Sequence, residues 1–90
     1  MKVYLSGSIT SSKDYVKEFN AAAGKCKTLG HTAFNPLDVF AEDYHGHMKQ
    51  DIAGLITCDA IMFVNDITTS KGVLVEKIVA DACGIQELKL

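Results

Sequence analysis

Arginine is absent from these 90 residues, and all nine basic side chains are lysine. A phosphate bound here must be held without the planar, bidentate fork of a guanidinium. Cysteine is scarce. Cys26, Cys58 and Cys83 are odd in number and far apart, which excludes a disulfide framework and a zinc module and points to a reducing compartment. Long apolar runs are also missing. None approaches the ~20 residues of a membrane span. Val3-Tyr4-Leu5 is too short for the core of a secretory signal, so the expected location is cytoplasmic, with no membrane partner. Nor does either charge sign dominate: the formal net charge of -2 excludes a general affinity for nucleic acid or anionic lipid. With 48% hydrophobic and 22% charged residues, and no repeat or linker, the chain reads as one globular domain over residues 1–90.

Lys2 to Ser6 reads as a short buried strand stopped by Gly7, followed by a small polar loop from Ser8 to Ser12. Ser11 and Asp14 have capping-box spacing ahead of an apolar stripe at Tyr15, Phe19, Ala22, Cys26 and Leu29, which predicts a helix closed by Gly30 at the left-handed C′ position. Thr32 to Phe34 is a second strand, ended by Asn35-Pro36. Leu37 to Gly46 reads as irregular. A second helix is expected from about His47 to Thr57, burying Met48, Ile52, Leu55 and Ile56. Ala60 to Val64 is a continuous apolar run, as expected of a central parallel strand. After a loop from Asn65 to Lys71, a third helix runs from about Gly72 to Cys83, and Ile85 to Leu90 supplies an edge strand. The order βαβαβαβ predicts an α/β fold: a small doubly wound parallel sheet, flavodoxin-like, in the order 2-1-3-4. Ligands of such sheets sit outside the carboxyl ends of the strands where the winding reverses, here between the Ser8 loop and the Asn65–Lys71 loop.

Three groups of residues could carry chemistry there. Tyr4-Leu5-Ser6-Gly7-Ser8-Ile9-Thr10 runs from a strand into a Gly/Ser loop, which is either a plain turn or an anion cradle. Its glycine spacing is neither that of a Walker loop nor that of a dinucleotide fingerprint. Glu76 shares a helix face with Gly72, Val79, Ala80 and Cys83. A carboxylate on that face is either a rim residue reaching water or a nucleophile or base beside the strand ends. The third group is the acidic set Asp51, Asp59 and Asp66. Asp59 reads as a turn residue, and Asp51 lies at the polar margin of its helix, where the default is solvation. His45 and His47 flank Gly46 without a cysteine or carboxylate at ligand spacing, so no metal site and no cofactor are expected.

Taken in order, these segments resemble the nucleoside 2-deoxyribosyltransferase-like superfamily, above all its 2′-deoxynucleoside 5′-monophosphate N-glycosidase branch and small phage-type relatives. Tyr4-Leu5-Ser6-Gly7-Ser8-Ile9 is similar to its opening Tyr-x-x-Gly-Ser-Ile. Asp51 and Asp59-Ala60-Ile61 resemble its Asp-(seven)-Asp-hydrophobic segment, and Ser70-Lys71-Gly72-Val73-Leu74-Val75-Glu76 its Ser-x-Gly-(three)-Glu segment. The likeness spans residue 3 to about residue 84. It implies Glu76 as nucleophile, Asp51 as general acid/base or sugar-positioning carboxylate, and Tyr4 as the group that orients Glu76. It further implies a substrate site built from Ser6, Gly7, Ser8, Ile9, Asn35, Ser70, Lys71 and Gly72. Ile78 stands where family members commonly carry glycine, and the loop after Gly7 lacks the arginine of some monophosphate hydrolases.

The expected function is cleavage of the N-glycosidic bond of a deoxynucleoside or its 5′-monophosphate, by hydrolysis or transfer. A non-catalytic protein that sequesters a nucleotide, and a plain interaction module, are the competing readings. The expected partner is a small nucleoside or nucleotide. Because so short a chain has one thin core and two helices with wide apolar faces, a homodimer or larger homo-oligomer is expected as well.

Overall fold

Every strand among the described residues runs parallel to its neighbours. The computed structural model describes residues 1–9, 13–65 and 71–89. Within them lie β1 (Lys2–Ser6), α1 (Tyr15–Thr28), β2 (Thr32–Phe34), a 3-10 turn (Pro36–Asp38), α2 (Tyr44–Leu55), β3 (Ala60–Phe63), α3 (Lys71–Ala82) and β4 (Gln86–Glu87). The sheet order is β2-β1-β3-β4, as expected, with Val3 beside Ala60 and Tyr4 beside both Phe34 and Ile61. Among the described residues no helix is long and apolar enough to cross a membrane.

Successive side chains of a strand point to opposite faces, and β1 uses both. Val3 and Leu5 pack with Phe19, Ala22 and Cys26 of α1. Tyr4 turns the other way, into a second core with Leu55 at the end of α2 and Ala80 of α3. α2 and α3 therefore share one face of the sheet, and Tyr4 and Ser6 are the β1 side chains on that side.

Local chemistry explains where the helices end. Gly30 has φ +82, the amide of His31 donates to the Cys26 carbonyl, and the amide of Gly30 donates to that of Lys27, which makes a Schellman cap. Gly84, at φ +70, closes α3 with the same pattern: Ile85 N–H donates to Ala80 O, and Ile85 packs back into the second core.

Several boundaries differ from expectation. Asp14, not Ser11, is the N-cap of α1, and its side chain makes no capping bond; Ser11 lies outside the described residues. Leu29 is 55% exposed, because the chain turns away at Gly30 before that side chain reaches the sheet. α2 starts three residues early, since Asp43 Oδ1 accepts the Gly46 amide at 2.7 Å and so caps the helix ahead of His47. Ile56 lies past the last helical residue and is 56% exposed. The segment before α2 is not wholly irregular, because Asn35 and Pro36 start a 3-10 turn. Val64 falls outside β3, and β4 has two residues.

Candidate active site

Strand periodicity builds the centre of the site. Tyr4 and Ser6 stand two apart on β1, so both reach the same helix, and that helix presents Glu76 on the stripe Val73, Glu76, Ala80. Tyr4 Oη donates to Glu76 Oε2, and Ser6 Oγ donates to Oε1 at 2.8 Å. Glu76 is 5% exposed. Burial pushes its carboxyl up from the ordinary 4.5 to about 7, while the hydrogen bonds from Tyr4 and Ser6 pull it down. The phenol of Tyr4 is pushed well above its ordinary range, first by burial and then by the charge of Glu76.

Asp51 faces the same space from α2. It sits on the inward stripe Met48, Asp51, Leu55, and at 5% exposed it is not the solvated residue its polarity suggested. Its Oδ2 lies 2.9 Å from His47 Nδ1, one turn earlier. Its Oδ1 is buried with no hydrogen-bond partner among the described residues. Burial raises the Asp51 carboxyl above the usual range, and His47 opposes that shift.

Between these groups lies a cavity of about 690 Å³, within the size range of small-molecule sites. Leu5, Gly7, Ile9 and Phe19 wall one side, Pro36 and the Ala41–Tyr44 segment another, and Lys71, Gly72 and Val73 a third, with Asp51, His47 and Glu76 inside. Gly7 is required here, because a β-carbon would stand 2.6 Å from Val64 Cγ2 and 2.9 Å from Asn65 Oδ1. At Gly72 a β-carbon would make ordinary contact with Met48 Sδ at 3.5 Å.

The other candidate residues divide. Gly7, Ile9, Lys71 and Gly72 line the cavity with Asp51 and Glu76, whereas Tyr4 and Ser6 lie beneath Glu76 and hold it. Ser8 is clamped by Asn65, whose Oδ1 accepts the Ser8 amide at 2.8 Å and whose Nδ2 donates to the Ser8 carbonyl at 2.9 Å. That amide is therefore already used. Asn35 stands outside the wall: its Oδ1 accepts the Leu37 amide at 3.1 Å, and its neighbour Pro36 faces the cavity instead. Ser70 lies outside the described residues. Two residues of the site were not assigned to it from the sequence, His47 having been weighed only as a metal ligand. His47 is four before Asp51, a facing pair once α2 begins at Tyr44. Asn65 gave no signal beyond its place after β3.

A family model described as a domain of unknown function, DUF4406, matches residues 1–88. The chain belongs to that family. Among curated proteins no sequence matches this DUF4406 domain. Solved structures do. A 2-deoxyribosyltransferase from Bacillus psychrosaccharolyticus superposes with a TM-score of 0.76 at 20% identity, over 97% of this chain and 69% of that one. A 2-deoxyribosyltransferase from Leishmania mexicana gives 0.77 at 21% identity, over 97% and 61%. The CMP N-glycosidase of Clostridium botulinum gives 0.72 at 18%, over 97% and 68%. This DUF4406 domain thus shares the fold of those three enzymes and spans about two thirds of the length of each.

Proposed function

We propose that this domain cleaves the N-glycosidic bond of a deoxynucleoside or deoxynucleoside 5′-monophosphate, with Glu76 as the nucleophile. The observation that carries the reading is the buried Glu76 carboxylate. Both its oxygens are held by hydroxyl groups of β1, and it faces a cavity shared with a second buried carboxyl, Asp51. Paired carboxyl groups suit a reaction that builds positive charge at a sugar carbon.

In the first step a Glu76 oxygen bonds to C1′ while the bond from C1′ to the base nitrogen breaks. The electron pair stays on the base, which takes a proton from Asp51. In the second step water attacks C1′, Asp51 recovers a proton from it, and Glu76 leaves as a carboxylate. Passing the sugar to another base in place of water would give transfer instead. The hydroxyl groups of Tyr4 and Ser6 fix the Glu76 rotamer and stabilise its anion when it departs. The two relatives named as transferases and the one named as a glycosidase support this class of reaction.

The working protein is a cytoplasmic homo-oligomer on this reading, supported by free cysteines and by the apolar residues Leu74, Val75 and Ile78 exposed on α3. The test is to incubate the protein with deoxynucleosides and their monophosphates and to detect free base by chromatography. Release that is lost in Glu76→Gln supports the reading. Binding without release from any substrate makes the domain a nucleotide-sequestering protein.

A further inference from the structure

His47 plays no part in the reaction just described, yet its Nδ1 lies 2.9 Å from one oxygen of Asp51, on the inner side of α2. The other oxygen, Oδ1, is buried and has no hydrogen-bond partner among the described residues. Both side chains line the cavity. A carboxylate oxygen buried without a partner is costly, and such an atom calls for an explanation in what else it meets.

We infer that His47 is the positioning residue of Asp51, fixing Oδ2 so that Oδ1 faces the cavity and controlling whether Oδ1 carries a proton. The reasoning is electrostatic. Burial favours the neutral acid at Asp51, while the charge His47 can carry, and then its ring N–H donated to Oδ2, favour the anion. The other polar groups around this space act differently. Tyr4 from β1 presents a hydroxyl already donated to Glu76. Glu76 on α3 is itself a carboxylate and disfavours a second negative charge. Lys71 at the start of α3 lines the cavity without an ion pair to Asp51, and Glu42 and Asp43 ahead of α2 are carboxyl groups themselves and disfavour its anion. His47 is the group hydrogen-bonded to this carboxyl among the described residues.

The consequence for the reaction rests on the glycosidase reading. When the base leaves, the O–H bond of Asp51 breaks and an N–H bond forms on the base. The electron pair left on the carboxylate is stabilised by the His47 N–H. When water attacks C1′, that carboxylate takes the proton back. Without His47, Asp51 would hold its proton to higher pH, and the water step would lose its base.

The experiment is a pH titration of the full chain labelled with carboxyl-13C aspartate and followed by NMR, with no ligand added. Wild type is compared with His47→Gln and His47→Phe, and Asp51→Asn identifies the resonance. The expected result is an upward displacement of the Asp51 midpoint in both His47 variants. Glutamine can still donate to a carboxylate one turn away but cannot carry charge. Coincident Asp51 curves in wild type and the His47 variants overturn the inference. Should His47→Phe fail to fold, wild type against His47→Gln decides alone. Base release measured in parallel separates the two ideas. A displaced midpoint with no release from any substrate removes the glycosidase reading and leaves the coupling standing, whereas release with an undisplaced midpoint overturns only the coupling.

Discussion

The rings of Tyr4 and Phe34 stack with centroids 5.3 Å apart and planes 17° from parallel. Phe34 in turn fills the space that a β-carbon on Gly54 would need. The position of the Tyr4 hydroxyl, and so of Glu76, is thus set by a glycine on α2 that touches neither. Gly54→Ala should force the Phe34 ring aside at a cost of about 1–3 kcal/mol in urea unfolding. Base release per folded molecule should fall as well, because the stack displaces Tyr4. A variant that is destabilised but keeps the wild-type rate would show that the stack serves folding alone.

Glu76 ties stability to pH in a definite direction. Its carboxyl is raised by burial to about 7 from an ordinary 4.5, so the native state holds that proton more tightly than the unfolded chain. The stability this supplies is complete below about pH 4.5 and is lost as pH rises through about 7, amounting to about 3 kcal/mol. Asp51, also raised by burial, acts in the same sense. Glu76→Gln should therefore flatten the dependence of the melting temperature between pH 5 and 8 and leave the variant the more stable protein at pH 8 (~1–3 kcal/mol). Wild-type base release should rise through about pH 7, as Glu76 ionises. An unchanged melting profile in the variant would remove Glu76 as the source of the slope.

Lys71 opens α3 and lines the cavity, at a helix end where partial positive charge accumulates. With the Ser8 amide committed to Asn65, an incoming phosphate would depend heavily on this lysine. Calorimetry should find a deoxynucleoside monophosphate bound more tightly than its nucleoside, with the gain shrinking at high salt. Lys71→Ala should erase most of that gain, by a factor of roughly 3–10, and leave the nucleoside almost unaffected. Equal affinities in wild type would mean that the site takes the nucleoside alone.

Ile78 is 68% exposed on α3 beside Leu74 and Val75, and Phe40, 84% exposed, adjoins the Ala41–Tyr44 wall of the cavity. Such faces are usually covered. Light scattering at micromolar concentration should return a multiple of 9.7 kDa for wild type and a smaller species for Ile78→Glu, since a charge buried in an interface is costly. A wild-type mass of 9.7 kDa with ligand binding intact rules out the assembly.

The sheet order, the parallel strands and the Gly30 cap could all be read from the sequence, because each rests on a local rule: short apolar runs, helical spacing, a glycine where φ must be positive. Glu76 was legible for a related reason, as a carboxylate on an otherwise small and apolar helix face. Asp51 was legible only through the family resemblance, since its polarity alone pointed to solvent. Its spacing with Met48 and Leu55 marks an inward position, but an acidic side chain argues for water until a partner is known, and the partner was hidden. His47 is paired with Asp51 only because Asp43 caps the helix early. The Asn65–Ser8 clamp joins residues 57 apart in sequence, and no local pattern reports such a contact.

That clamp gives the crevice a built-in clock. The loops that follow β1 and β3 are joined through both hydrogen bonds of the Asn65 amide to the Ser8 backbone. For these two loops to part, the Ser8 N–H must leave Asn65 and meet solvent. Deuterium uptake at this single amide therefore counts the openings of the seam, in a stretch of chain that belongs to no helix or strand. A molecule that seals the seam slows the clock, and one that enters past Ala41–Tyr44 leaves it running at the same rate.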